Sequence, residues 1–175
     1  MSAKSTTKLP MVGSKEWMND MYPRAYIEFL AHFHGTRDYF ECHEILEEYW
    51  KEVDPRNQSS IWVWLIQIAV AMYHDRRGNQ KGARTLVQRC LRKKPEHEKE
   101  LPLLGLDGER LEKQLQEFKA RLDAEVPYRS WNMPIIDMKL LKDVHLLCQQ
   151  WGAAYGSPSN MTDEFLVDKH KMRNQ

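Results

Sequence analysis

The sequence predicts an all-α fold, a compact bundle of five to seven helices built from helical hairpins. Three observations carry that reading. Apolar residues recur at intervals of three and four along most of the chain, the period of a helix buried on one face. Asp, Asn or Ser stands just ahead of several of these runs, where its side chain can accept from the first helical amides. Gly78 and the prolines at 55, 95 and 134 punctuate the pattern.

Taken in order, residues 1–21 are mixed polar and are expected to be loosely held, with Trp17 and Met18 able to dock on the body. Pro23 suits the first turn of a helix. Phe29, Leu30 and Phe33 share its face until Gly35 stops the run. Asp38 followed by Glu41 is a capping-box-like start for a helix bearing Phe40, Cys42, Leu46, Tyr49 and Trp50, ending before Asp54-Pro55. Ser59 or Ser60 can cap Ile61 to about Arg76, which is apolar nearly all round and so belongs at the centre. Asn79 caps a helix reaching about Lys94, which Pro95 ends.

Asp107 opens a charged helix with Leu111, Leu115, Phe118 and Leu122 on one stripe. Val126 to Pro134 reads as an extended connector whose Trp131 could dock on its own bundle or on a second subunit of a homo-oligomer. Ile136 to about Tyr155 reads as a last helix, and residues 156–175 as a frayed tail. The domain proper is thus 22–155. Ala25–Glu52 and Ile61–Lys94 share a plan of helix, break and capped helix, but no third unit follows, so a solenoid is not implied.

The composition excludes several classes of protein. The 26 basic and 25 acidic side chains nearly cancel, so no global attraction to nucleic acid or an anionic membrane follows. The most apolar stretch, Ile61–Tyr73, has 13 residues, short of the roughly 20 that a bilayer needs. Three widely spaced cysteines with no CxxC pair suggest neither a disulfide framework nor a thiolate zinc site, and point to the reducing cytoplasm. Residues 1–13 lack the apolar run of a signal peptide. No Gly-rich phosphate loop, GxSxG elbow or dinucleotide fingerprint is present.

One constellation carries chemistry. His43 and Glu47, four apart, share a helix face beside Phe40, Leu46 and Trp50, so the pair is expected to point inward. A carboxylate there must be paired, neutralised or metal-bound. Gln67, Ala71 and His74 line one side of the apolar helix, and packing the two stripes together would assemble His43, Glu47, Gln67 and His74. A divalent transition metal on His43, Glu47 and His74 is one reading, and Glu47 orienting His43 as a general base is another. A buried hydrogen-bond network fixing helix register outweighs both. The pattern is neither HExxH nor a paired ExxH.

A charge split is the second feature. Six acids lie between Glu41 and Asp54, and eight bases without an acid between Arg76 and Lys94. Such a helix can track phosphates, but it carries no interleaved aromatics to stack on bases, which argues against nucleic acid. His32, His34, His97, His145 and His170 are isolated in sequence and read as surface or capping residues.

The stretch YFECHEILEEYW followed by LIQIAVAMYHDRRGNQKGA resembles the bacterial family known as domain of unknown function 309, over about residues 26–94, with a weaker likeness as far as PYRSWNMPII. The family's signature positions carry over as His43, Glu44, Glu47, Trp50, Gln67, Gly78, Asn79, Gly82 and Ala83. The resemblance implies a compact all-helical cytosolic protein and brings no activity with it. Cys42 and Lys81 are features of this chain that it does not interpret. Three functions therefore compete. The first is a helical domain whose polar cluster organises the core or lines a small-ligand pocket, with Glu44, Trp50, Gln67 and Asn79 as ligand contacts. The second is a metal-dependent hydrolase-like enzyme, and the third a module presenting its basic helix to nucleic acid or an acidic partner. Whether the chain is an enzyme stays open at this point.

Overall fold

The structure is a computed structural model that describes residues 22–169. The expectations for residues 1–21, including Trp17 and Met18, and for 170–175, including His170, fall outside the described residues. Eight α-helices are present among the described residues: α1 Arg24–Ala31, α2 Tyr39–Val53, α3 Ile61–Arg76, α4 Gln80–Lys93, α5 Glu100–Leu103, α6 Gly108–Asp123, α7 Met138–Gln150 and α8 Glu164–Val167. Two of them, α5 and α8, are single turns.

Helix α3 is the axis of the bundle, with thirteen of its sixteen residues buried. It packs against α2 on one side and α4 on the other. Helix α6 covers α4, while α1 covers α2 and is itself covered by α7. The side chains expected to cap do so. Asp38 accepts from the Glu41 amide, Ser60 from Trp62, Asn79 from Gly82 and Asp107 from Arg110. Each such bond stabilises a helix start by about 1 kcal/mol. Gly78, at φ 90°, takes the left-handed conformation that ends α3.

Four local readings are revised. Helix α1 does not stop cleanly at Gly35 but widens into a π turn, His32–Thr36, closed by Arg37 at φ 59°. Pro95 ends α4 without ending the coil, because the chain continues as a 3-10 turn, Lys94–His97, in which proline's missing amide costs nothing. The helix expected at 136–155 is α7, which starts at Met138, capped by Asp137, and ends at Gln150 ahead of Gly152 (φ 73°). The segment after Gly156 is held down as far as Lys169. Arg37 and Arg76 donate to its Ser157 and Leu166 carbonyls, and Lys169 pairs with Asp38 at 2.8 Å.

The connector docks on its own bundle. Trp131 meets Phe33 and Phe118 edge-on at 5.6 and 6.1 Å. No helix of the described residues is long and apolar enough to cross a membrane.

Candidate functional site

His43 and Glu47 meet, as their spacing requires, with Nε2 2.9 Å from Oε1. Glu44 approaches the other ring nitrogen, Nδ1, at 3.0 Å. The pair is not buried, however. The side chains of His43 and Glu47 are 31% and 33% exposed. The fully buried stripe of α2 runs through Tyr39, Cys42, Leu46 and Tyr49. At about 100° per residue, His43 and Glu47 lie on its flank. Lys51 reaches Glu47 at 2.7 Å and holds its carboxyl below the usual range, with partial burial opposing and His43 assisting.

The expected partners turn elsewhere. On α3, Trp62 and Tyr73 face α2, meeting Tyr49 at 5.3 Å and Phe40 at 6.0 Å. Gln67 and His74 lie about 100–140° further round the helix, toward α4. Gln67 Oε1 is 3.9 Å from the Cys90 thiol of α4, and His74 Nδ1 is 3.4 Å from Asn79 at the start of α4. The four residues are thus divided between two faces, because the polar stripe of α3 is out of phase with the side that meets α2. Among the described residues no group of three or more His, Cys, Asp or Glu side chains is arranged to hold a metal. The trio of His43, Glu47 and His74 is not assembled as a ligand set.

The other two candidate ligand contacts do structural jobs. Trp50 donates to the Asn57 carbonyl and closes the α2–α3 turn, while Asn79 caps α4.

Gln67 does line a cleft, of about 200 Å³, on the α4 side of α3. It is lined by Val63 and Trp64 of α3, the turn at 58–60, Arg89 and Lys93 of α4 and His97 of the 3-10 turn. Trp64 is anchored by donating to the Cys90 carbonyl at 2.9 Å. His97 is only 2% exposed, tilts against the Trp64 ring at 5.5 Å, and places Nδ1 2.7 Å from Glu100 Oε1. A carboxylate accepts only, so Nδ1 carries the hydrogen and the imidazole is held in one orientation. Lys93 has one loose acidic neighbour, Glu96 at 3.8 Å. The amino terminus of α3 opens at the same place and adds partial positive charge. Burial pushes the nearby Cys90 thiol up to about 12, which removes thiolate chemistry from the cleft.

The basic stretch 76–94 is not a free cationic face. Arg76 is buried beneath the C-terminal segment, and Arg84 donates to the Leu122 carbonyl of α6. Lys94 is 1% exposed and bonded to Glu98 and Glu112 at 2.8 and 3.3 Å.

The isolated histidines are integrated as well. His34 is fully buried and stacked on Tyr155, whose ring also stacks on His145. His32 stacks on Trp151. His97, read as a surface or capping residue, is instead buried against this cleft. Its one local signal was Glu100 three residues on, within reach only once the 3-10 turn forms.

The family model for a domain of unknown function, DUF309, matches residues 26–86, from α1 into α4. Arg89, Lys93 and His97 lie beyond that match. The uncharacterized protein YpuF of Bacillus subtilis (strain 168) is 43% identical over 155 residues, covering 89% of this chain and 89% of that protein. No solved structure matches. With a relative this similar along most of its length, and with the HE-x-x-E and RGN-x-x-GA motifs on α2 and at the α3–α4 break, the chain belongs to the DUF309 family.

Proposed function

We propose that this protein is a small-ligand-binding helical domain whose α3–α4 cleft takes an anionic ligand. Gln67, Arg89, Lys93 and His97 are its polar contacts. The observation that carries this reading is the convergence of two α4 cations, a carboxylate-held imidazole and a half-buried amide on one open volume. Side chains that serve only the fold usually exhaust their partners on each other, whereas these leave capacity directed at space. Trp64 supplies an apolar wall, so a ligand with a compact anionic group and a flat apolar part suits the lining.

The His43–Glu47–Lys51 chain of contacts is a surface network on this reading. Hydrolase chemistry on a metal held by His43, Glu47 and His74 is not part of it, since those three do not converge. A nucleic-acid role for the basic helix loses Arg76 and Lys94 to the interior. Three free, buried cysteines suit a cytoplasmic location, and the docking of the tail on the body argues that 22–169 folds as one unit.

The test is a titration of the full chain with inorganic phosphate and with benzoate, following the ring resonances of His97 and the indole of Trp64. Binding should move both signals and weaken as salt rises. Arg89→Ser with Lys93→Ser should cut affinity at least tenfold and leave the melting temperature within a degree or two. Ring signals that stay still at high millimolar concentrations of both probes would sink the proposal.

A further inference from the structure

A second polar cluster lies at the opposite end of α3, under the C-terminal segment. Arg37 and Arg76 are 2% and 4% exposed, yet neither makes an ion pair among the described residues. Arg37 donates to the carbonyls of Phe33, Trp131 and Ser157 and to the Asn132 amide oxygen, and its capacity is well used. Arg76 is less well served. Its Nη1 donates to the Arg37 carbonyl at 2.6 Å and to Ser159 Oγ at 3.0 Å, and its Nη2 to the Leu166 carbonyl at 3.2 Å. Its Nε is buried with no partner. A guanidinium withdrawn from water without a counter-charge is costly, and its stacking over Tyr39 at 4.5 Å offsets only part of that.

One hydroxyl, Ser159 Oγ, touches this guanidinium and joins it to a chain of others. Tyr128 OH lies 2.6 Å from Tyr39 OH, 2.7 Å from Ser130 Oγ and 2.8 Å from Ser159 Oγ. Two of the three acceptors on Arg76, Ser159 and Leu166, belong to residues 157–169, and the rest of the cluster belongs to the bundle and its connector. That segment is held chiefly by polar contacts, namely Arg37 on the Ser157 carbonyl, Ser157 Oγ on the Gly35 carbonyl and Lys169 on Asp38. Its Met161 and Phe165 remain 51% and 53% exposed, so little apolar burial anchors it.

We propose that Arg76, with the Tyr128 and Ser130 hydroxyls, is an oxyanion receptor that the C-terminal segment fills as a built-in stand-in. A phosphoryl or carboxylate group displaces Ser159 and the Leu166 carbonyl from it. The exchange replaces neutral acceptors on a buried cation by charged ones, which bond a guanidinium more strongly and can take two of its N–H groups at once. The unpartnered Nε supplies one donor, and the nitrogens released by the segment supply the others. Tyr128 OH, relieved of Ser159, turns its hydrogen to the anion. The segment then lifts, and occupancy at this end of α3 is coupled to its release. This site does not depend on the α3–α4 cleft.

The test uses the full chain carrying Arg89→Ser and Lys93→Ser, which keeps anions off the cleft. Inorganic phosphate and acetate are titrated separately. The Arg76 Nε–H resonance and the exchange rates of the Leu166 and Val167 amides are followed. The expected result is a shift at Nε–H and at least tenfold faster exchange in the segment at saturation. Phosphate alone acting assigns a phosphoryl group, and acetate alone a carboxylate. Ser159→Ala with Lys169→Ala should bind at least tenfold more tightly, since the competing stand-in is weakened. Arg76→Gln should abolish the effect. Tyr128→Phe, which keeps the ring, should weaken it severalfold and serves if the Arg76 variant does not fold. Exchange rates indifferent to both anions, or equal affinity with and without the segment's Ser159 and Lys169 side chains, overturn the proposal and leave the cleft reading standing.

Discussion

The two polar regions on the flanks of α3 are opposites. Around His34 and Arg37 nearly every polar atom is spent. His34 Nδ1 donates to the Leu30 carbonyl at 2.8 Å, its Nε2 accepts from the Met133 amide at 2.9 Å, and Arg37 closes four acceptors. Across the molecule the cleft residues Arg89, Lys93 and Gln67 face space, with few partners of their own. The residue types are alike in the two places, but the first set joins the π turn, the connector and the tail into one piece, whereas the second leaves a surface unfinished. A polar group with all its partners supplied by the protein reports on stability. One with capacity left over reports on binding.

That contrast can be broken by substitution, starting where the effect is largest. Arg37→Met should destabilise the protein by about 4 kcal/mol, because it strands carbonyls of the π turn, the connector and the tail in a dry environment. Urea unfolding would show it, and a change below about 1 kcal/mol would mean that the sealed region is not what it looks like.

Acid attacks the same region through His34. Burial lowers its pKa to about 3, against an unfolded value of 6.5. The neutral ring is the one that fits, with Nε2 free to accept. The resulting stability is fully present above pH 6.5 and is lost as pH falls toward 3. The expected loss is about 2 kcal/mol by pH 5. His32, whose pKa burial lowers to about 4, adds loss in the same direction. Melting temperatures between pH 7 and 4.5 measure the slope, and His34→Gln, which gains no proton in that range, should flatten it.

On the signature flank of α2 the effect should be small. His43→Ala is expected to cost less than about 1 kcal/mol, since its carboxylate partners keep water and Glu47 keeps Lys51. A loss of several kcal/mol would restore the pair to the core. Smallest of all is Arg89→Ser, whose effect on unfolding should stay within about 0.5 kcal/mol while anion binding falls. A large stability loss there would erase the distinction between the two regions.

The residues show why some of this was legible in advance. Asp38, Ser60, Asn79 and Asp107 each cap the helix they precede, because the bond joins groups two or three residues apart. The central place of α3 followed from a run with almost no polar side. His43 and Glu47 paired for the same local reason. Their depth was misread because Phe40 and Trp50, counted with the buried stripe, lie beside it, and the inward direction is set by Tyr39, Cys42, Leu46 and Tyr49. The burial of His34 and Arg37 rests on partners 94 to 120 residues away in the connector and the tail, and that of His97 on a turn that proline reshapes.

The amino-acid sequence by itself determined the longer helices, most of their caps and the contacts made within one turn, because those depend only on the 3.6-residue period and on groups held close by the chain. Which polar residues meet was decided by the tertiary structure alone. An offset of about 100–140° about the axis of α3, set by how Trp62 and Tyr73 pack on α2, turned Gln67 and His74 from the HE-x-x-E helix to α4. It thereby placed Gln67 in a cationic cleft instead of a four-residue centre.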